Sequence, residues 1–139
     1  VRRHWQGPVI VKGVLSAQDA RLALQAGADG IVVSNHGGRQ LECAPAPMAQ
    51  LPQIADAVHG KMHIFVDGGV RRGSDIAKAR ALGADAVLLG RAPLYGLAAS
   101  GPQGVAEVLE ILRTELETTL RLLGAPQARG LDASFMQKH

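Results

Sequence analysis

Short apolar runs alternate with amphipathic stretches along most of this chain. The apolar runs predict four strands, over residues 9–12, 31–33, 62–66 and 86–89. The amphipathic stretches predict helices over 17–26, 48–59, from 73 to the glycine at 83, and 103–123, with a short further piece over 93–99. Strands that alternate with helices of roughly ten to twelve residues indicate βα units and a parallel sheet.

The first helix and the strand after it carry clear local signals. Ser16, with Asp19 three positions on, is typical of a helix start, because both side chains can bond free amides there. Gly27 suits the left-handed residue that ends a helix. The run Ile31–Val33 is β-branched and uninterrupted, which favours a strand buried on both faces.

An internal repeat strengthens this interpretation. A shift of 56 positions superposes, without a gap, Gly13 on Gly69, Asp19 on Asp75, Ala23 on Ala79, Gly27 on Gly83, Ala28 on Ala84 and Asp29 on Asp85. The period covers two βα units, a quarter of a (β/α)8 barrel, and a fixed period indicates stacked modules. A complete barrel takes roughly 250 residues. Four strands therefore predict half a barrel, whose open sheet sides need a cover.

The composition fits one α/β domain. The chain has 139 residues, 47% of them hydrophobic, which is enough for one core and too few for two. Aromatic residues make up only 3%, while glycine is frequent at 17 residues. This balance is expected where aliphatic side chains fill the space between strands and helices joined by tight turns.

Charge and cysteine content exclude several classes of protein. The formal net charge of +3 comes from scattered Arg and Lys without interleaved aromatic residues, so we expect no nucleic-acid partner. Cys43 is the only cysteine and no Cys/His cluster has zinc spacing, so we expect no disulfide, no metal and a reducing compartment. There is no run of eighteen apolar residues, and no start Met or apolar signal region. We therefore expect a chain cut at its beginning.

Residues with chemical potential follow the second predicted strand at once. Ser34, Asn35, His36 and Arg39 surround two glycines, which let backbone approach a ligand. His36 is either a general base, since imidazole accepts protons near neutral pH, or a loop histidine that bonds backbone. Arg39 either binds a carboxylate through two parallel hydrogen bonds or is a solvated surface residue. Together they favour removal of a proton or hydride next to a carboxylate.

The other predicted strand ends should lie beside this one, because carboxyl ends of parallel strands meet at one end of a sheet. Lys12 ends the first strand, and its partner is either an anionic ligand or a salt bridge. Segment 67–74 and the pair Gly90–Arg91 carry glycine-flanked arginines, which favours a phosphate near a helix N-terminus. Alternatively, the glycines only permit the turns. We interpret the remaining histidines as surface or packing residues: His4, His59, His63 and His139.

With these motifs identified, the sequence resembles the FMN-dependent α-hydroxy-acid oxidases and dehydrogenases, a family that includes glycolate oxidase, lactate oxidase and mandelate dehydrogenase. Segment 34–40, Ser-Asn-His-Gly-Gly-Arg-Gln, is highly specific to that family. Segments 11–13, 67–73 and 89–91 match its remaining C-terminal motifs in the same order. The likeness covers essentially the whole chain, and it looks closest to the mandelate dehydrogenase branch.

The resemblance implies the C-terminal half of a TIM (β/α)8 barrel, strands five to eight with their helices, as one incomplete domain over 1–139. It implies FMN-dependent oxidation of an L-2-hydroxy acid to the 2-oxo acid, with His36 as base and Arg39 on the substrate carboxylate. Lys12 would stabilise the reduced flavin near N1 and the C2 carbonyl, and Ser34 would also contact the flavin. The ribityl and phosphate parts would be bound by Asp67, Gly68, Gly69, Arg71, Gly90 and Arg91.

The resemblance also implies properties of the complete protein. Activity would need the first half of the barrel, and family members are commonly tetrameric, so we expect a homo-oligomer. We expect a cytoplasmic location, with peripheral attachment to the inner face of the membrane as the alternative for the full-length protein. Two other functions stay open. One is another phosphate-binding barrel enzyme, such as a flavin-dependent isomerase or an IMP-dehydrogenase-like protein; the other is a non-catalytic half-barrel that binds FMN, another phosphorylated ligand or a partner chain.

Overall fold

The computed structural model of this chain describes residues 1–136. Its helices and strands alternate in the predicted order: β1 (Ile10–Val14), α1 (Ala17–Gln25), β2 (Gly30–Val33), α2 (Pro47–Val58), β3 (His63–Val66), α3 (Gly73–Ala81), β4 (Ala86–Val87) and α4 (Arg91–Leu122). Short 3₁₀ turns lie at His36–Gly38, Ala128–Gly130 and Ala133–Phe135. Among the described residues, no helix is long and apolar enough to cross a lipid bilayer.

The four strands form one parallel sheet in the order β1-β2-β3-β4, as the alternating pattern predicted. Register partners form a row near the end of each strand: Val14, Val33, Val66 and Val87. The loops that leave the strands after this row emerge together, and we call this the carboxyl end of the sheet. The opposite end, where Ile10, Gly30 and His63 are register partners, is the amino end.

The centre of the sheet is buried and its two sides are open. Residues 31–33 of β2 are all buried, which confirms a strand covered on both faces. Leu51 and Ile54 of α2 pack into the same core. The outer strands are less covered than the centre, because Ile10 of β1 is 49% exposed and Leu88 after β4 is 41% exposed. These sides of a parallel sheet are available for pairing with further strands.

The internal repeat corresponds to repeated structure. Shifting the bounds of α1 by 56 positions gives 17 + 56 = 73 and 25 + 56 = 81, the bounds of α3. The repeated aspartates also have equivalent roles, because each accepts a hydrogen bond from the amide of a residue at the amino end of a neighbouring strand. The bond from Val9 N to Asp29 Oδ2 is 2.7 Å and that from Ile64 N to Asp85 Oδ2 is 3.0 Å.

The last helix agrees with the prediction of two pieces. The piece over 93–99 and the helix over 103–123 are both parts of α4, which bends at Ser100 and Gly101, where the backbone leaves helical geometry. The interruption predicted between residues 99 and 103 is therefore confirmed, and the chain continues as a helix after it. The bend lets the two parts touch through backbone, since a Cβ on Gly104 would lie 2.0 Å from the oxygen of Gly96. The predicted ends of the other elements agree with the structure to within two residues.

Candidate active site at the carboxyl end of the sheet

Three predicted site residues, one within β1 and one after each of β2 and β3, meet at the carboxyl end. Lys12 Nζ forms an ion pair with Asp67 and donates a hydrogen bond of 2.8 Å to Ser34 Oγ. Ser34 is completely buried, and its hydroxyl also accepts a bond of 3.1 Å from His36 N. One buried hydroxyl therefore connects the end of β1 with the loop after β2. The ion pair with Asp67 corresponds to the salt-bridge alternative for Lys12.

Asp67 has one carboxylate oxygen that the protein does not use. Its Oδ2 takes the ion pair with Lys12, while its Oδ1 is buried and has no hydrogen-bond partner within residues 1–136. A buried acceptor without a donor costs about 1–3 kcal/mol. Such atoms are rare in folded proteins and need a specific explanation. A ligand with a hydroxyl donor is one that fits this position.

His36 lies on a tight turn directly after β2. Its φ of +56° is in the left-handed region, which is uncommon for a residue other than glycine. Asn35 stabilises this turn, because its Oδ1 accepts a hydrogen bond of 3.1 Å from Gly37 N. The imidazole is exposed and lies against β1, with Nε2 only 2.8 Å from the position that a Cβ on Gly13 would take. The turn thus holds a histidine at the surface of the carboxyl end.

Three exposed arginines follow the strands at this end of the sheet. Arg39, Arg71 and Arg91 follow β2, β3 and β4 respectively, and all three are exposed. Within the described part of the chain, none of them forms an ion pair. Because Lys12 already neutralises Asp67, the carboxyl end carries excess positive charge. Such a surface favours an anionic ligand.

The N-terminus of α3 is already occupied by carboxylates of the chain. Arg71 N and Arg72 N donate bonds of 3.0 and 3.1 Å to Asp75 Oδ2. Gly73 N donates a bond of 2.8 Å to Glu115 Oε2, and Glu115 also pairs with the Arg72 guanidinium at 3.1 Å. The amides that a phosphate could use at this helix start are therefore taken. Sequence reasoning missed Glu115, because it lies 42 positions after Gly73.

The N-terminus of α4 offers a better match for a phosphate. Gly90 precedes the helix and provides no side-chain cap, so the positive end of the helix dipole stays available. A Cβ on Gly69 or Gly90 would meet no atom within 4 Å, whereas one on Gly68 would lie 3.4 Å from Asn35 Oδ1. Open space thus lies beside two of the predicted glycines, whereas a side chain at Gly68 would contact the loop after β2.

The amino end of the sheet contains a cavity, and the carboxylates that line it already have partners within the chain. The cavity measures about 590 Å³, and its polar lining includes Asp29, Lys61, His63 and Asp85. The backbone bond from Val9, and then the Arg2 guanidinium, hold the pKa of Asp29 below its ordinary value. Asp85 pairs with His63 at 3.3 Å and with Arg80 at 3.6 Å. None of the predicted cofactor or catalytic residues lies here.

The other histidines lie away from the carboxyl-end cluster. His4 is exposed, and His59 is the exposed left-handed residue that ends α2. His63 pairs with Asp85 at the amino end, while His139 lies outside the described residues. Within the described range, no three His, Cys, Asp or Glu side chains are grouped as they would be around a metal ion.

Comparison with known proteins identifies close relatives. The sequence model described as FMN-dependent dehydrogenase matches residues 1–138. The chain is 52% identical over 137 residues to the (S)-mandelate dehydrogenase of Pseudomonas putida, and this match covers 99% of this chain and 34% of that protein. It is 47% identical over 139 residues to the 2-hydroxyacid oxidase 1 of Mus musculus, and this match covers 100% of this chain and 38% of that protein.

A solved structure gives the same relationship. The structure of an oxidised active mutant of (S)-mandelate dehydrogenase superposes with a TM-score of 0.95 at 49% identity, over 99% of this chain and 38% of that one. The chain spans about a third of the length of the curated relatives that it matches.

Proposed function

The chain belongs to the family of FMN-dependent dehydrogenases, and from that premise we propose that it is the C-terminal half of a (β/α)8 barrel that oxidises an L-2-hydroxy acid to the 2-oxo acid. Residues 1–139 form one incomplete domain, and activity requires the first half of the barrel. The exposed sides of β1 and β4, at Ile10 and Leu88, support this extent, because they are the places where the remaining strands would pair. FMN dependence itself is a property of the family.

One observation carries the proposal: groups suited to base catalysis and to anion binding share the carboxyl end of the sheet. The exposed imidazole of His36 follows Ser34, whose hydroxyl bonds both His36 N and Lys12 Nζ. Arg39 is exposed three positions further on. A proton acceptor beside a guanidinium and an ammonium group suits a substrate that carries both a hydroxyl and a carboxylate.

The loops after β3 and β4 fit the ribityl phosphate of FMN. The unpartnered Oδ1 of Asp67 would accept a hydrogen bond from a ribityl hydroxyl, which removes the cost of the buried acceptor. Arg71 and Arg91, with the uncapped start of α4, would hold the phosphate. The open space at Gly69 and Gly90 would let the backbone approach it.

Lys12 and Ser34 fit the flavin ring as a pair. Lys12 Nζ supplies a fixed positive charge, which favours the reduced and anionic form of the ring. The buried Ser34 hydroxyl holds this ammonium group in place through the 2.8 Å hydrogen bond. A direct contact between Ser34 and the flavin stays a prediction, as does the binding of the cofactor by Gly68.

The reaction divides its tasks between the cofactor and the chain. FMN, when bound, accepts the two electrons that leave C2 of the substrate. Arg39 binds the substrate carboxylate with two parallel hydrogen bonds and so orients C2. His36 accepts either the hydroxyl proton as hydride leaves or the proton on C2 in a carbanion route. Both routes leave one proton on the imidazole.

The main alternative is a half-barrel that binds FMN or another phosphorylated ligand without catalysis. The open sides of β1 and β4 favour this role for the chain by itself. Other phosphate-binding barrel enzymes have less support, because the family model spans residues 1–138. A tetrameric full-length protein in the cytoplasm, or at the inner face of the membrane, stays a prediction.

His36→Gln in the complete FMN-loaded protein tests the proposal. We expect the rate of flavin reduction by L-mandelate or L-lactate to fall on the order of 10²- to 10⁴-fold, the usual contribution of a general base. The FMN content should stay unchanged, because His36 is not assigned to the phosphate or ribityl contacts. Anaerobic stopped-flow absorbance of the flavin measures the rate. Retention of most of the rate would remove His36 as the base, and a wild-type protein that binds FMN but oxidises no 2-hydroxy acid would favour the non-catalytic alternative.

A further inference from the structure

The internal repeat places Gly13 and Gly69 at equivalent positions, yet their surroundings differ. Both have left-handed backbone, with φ of +98° and +82°. A Cβ on Gly69 would meet no atom within 4 Å, whereas a Cβ on Gly13 would lie 2.8 Å from His36 Nε2 and 3.5 Å from its Cε1. The space that a side chain would occupy at position 13 is therefore filled by the imidazole.

We propose that Gly13 is a positioning residue for His36, because its missing side chain leaves a notch in β1 against which the imidazole rests. This inference rests on the proposed role of His36 as the base. The inference adds Gly13 of β1 to the residues that serve the reaction. Gly13 itself binds neither the substrate nor the cofactor. Gly13 acts only through the ring that it accommodates.

The backbone of β1 produces the notch. Lys12 pairs with Val32 and Val14 pairs with Val33, so Gly13 is an extra residue at an irregularity in the register. Such bulges change the direction of neighbouring side chains and are frequent next to active sites. The left-handed φ of Gly13 is one that side chains rarely adopt. The same bulge therefore requires glycine and opens the space that His36 fills.

The notch supplies a constraint that the turn around His36 does not. The bond from His36 N to Ser34 Oγ, at 3.1 Å, fixes the backbone and leaves the side-chain torsions free. The imidazole is exposed, and its position against Gly13 limits the rotation of the ring on the side of β1. A methyl group at position 13 would come closer to Nε2 than side chains tolerate and would turn the ring away. Displacement of a catalytic group by about 1 Å can cost on the order of 100-fold in rate.

Gly13→Ala in the complete FMN-loaded protein is the primary test, with Gly27→Ala as its control. Gly27 is also left-handed, with φ of +82°, but its Cβ would lie 3.9 Å from the nearest atom, Arg2 Nε. The control thus imposes similar backbone strain without a collision. We expect Gly13→Ala to slow flavin reduction on the order of 10- to 100-fold, with the FMN content unchanged, and Gly27→Ala to reduce flavin at nearly the wild-type rate.

A double-mutant cycle in thermal stability tests the contact independently of activity. With His36 present, Gly13→Ala should lower the melting temperature more than Gly27→Ala does. With His36→Ala in the background, this excess should disappear, because the ring that collides with the new methyl group is gone. An excess that persists without the ring, or a reduction rate of Gly13→Ala that equals that of Gly27→Ala, would overturn the inference.

The outcomes separate this inference from the proposed function. If His36→Gln keeps the wild-type rate of flavin reduction, the proposed role of His36 fails, and the positioning role fails with it. If His36→Gln abolishes reduction and Gly13→Ala does not slow it, only the positioning role fails. If Gly13→Ala does not fold, recovery of folding in Gly13→Ala/His36→Ala supports the notch, and failure of both while Gly27→Ala folds contradicts it.

Discussion

The two ends of the parallel sheet use aspartate in opposite ways. At the amino end, Asp29 and Asp85 each accept a backbone amide and pair with a basic side chain. At the carboxyl end, Asp67 pairs with Lys12, but its Oδ1 is buried without a partner in the described chain. The amino-end carboxylates are thus satisfied by the protein, whereas one oxygen at the carboxyl end is left for another molecule.

The presence of polar groups without partners is a better indication of where a ligand binds than the volume of a cavity is. The cavity of about 590 Å³ lies at the amino end. Within residues 1–136, the carboxyl end holds the arginines that form no ion pair and the carboxylate oxygen that has no hydrogen-bond partner. Binding specificity requires donors and acceptors that the protein has not already used. Donors and acceptors that have no partner in the protein lower the stability of the unliganded protein. Such a loss of stability is common at functional sites.

The largest contrast is expected from exchanging arginine for lysine at each end of the sheet. Arg39→Lys should lower kcat/KM on the order of 10- to 100-fold, comparable to the loss of a hydrogen bond to a charged group, because an ammonium group cannot form the two parallel bonds. Arg80→Lys should leave kcat/KM unchanged and lower the melting temperature, since Arg80 contacts Ala84 O and Asp85. Steady-state kinetics and thermal unfolding of the complete protein measure both. Equal losses of kcat/KM would contradict the contrast.

A smaller effect is expected from removing one aspartate at each end. Asp67→Ala should raise the dissociation constant of FMN about tenfold and change the stability of the FMN-free protein little, because the unpartnered oxygen is removed as well. Asp85→Ala should leave FMN binding unchanged and lower stability, because the amide of Ile64 loses its acceptor. Flavin fluorescence titration and denaturant unfolding give the two values. A variant at Asp67 that only destabilises the protein would assign that residue to the fold.

The smallest effect is expected in the pH dependence of stability at the amino end. The bond from Val9 N, followed by Arg2, lowers the pKa of Asp29 from 3.8. A pKa that is lower in the folded state gives a stabilising contribution that is complete above the ordinary value and is lost as the pH falls through the folded value. Asp29→Asn should therefore be less stable than the wild type at pH 7, and the gap in melting temperature should shrink as the pH falls below 3.8. A gap that is the same at neutral and acidic pH would show that the charge of Asp29 does not contribute.

Local signals in the sequence were sufficient for most of the fold. The predicted helix start at Ser16 is confirmed by the bond of 3.0 Å from Asp19 N to its hydroxyl, and Gly27 has the predicted left-handed φ. The interruption between the two predicted pieces, 93–99 and 103–123, is confirmed by the non-helical backbone at Ser100 and Gly101. Periodicity could not give the close approach of Gly96 to Gly104 across this bend, because it is a tertiary contact.

The candidate site was predictable as a set of residues but not as a set of contacts. The rule for parallel strands brought Lys12, Ser34 and Asp67 to one end of the sheet. It could not give the pairing of Lys12 with Asp67, which are 55 positions apart, or the burial of the Ser34 hydroxyl beneath them. The repeat drew attention to Gly13 and Gly69, yet only the packed structure distinguishes the filled space at one from the open space at the other.

Hydrogen–deuterium exchange of the complete protein, with and without FMN, tests the contrast between the two ends most directly. We predict slower amide exchange with FMN in segments 34–37, 67–71 and 89–91 at the carboxyl end. Exchange should stay unchanged in segments 28–30, 61–64 and 83–85 at the amino end. Protection concentrated at the amino end, or no change in the carboxyl-end loops, would contradict the assignment of the carboxyl end as the cofactor site.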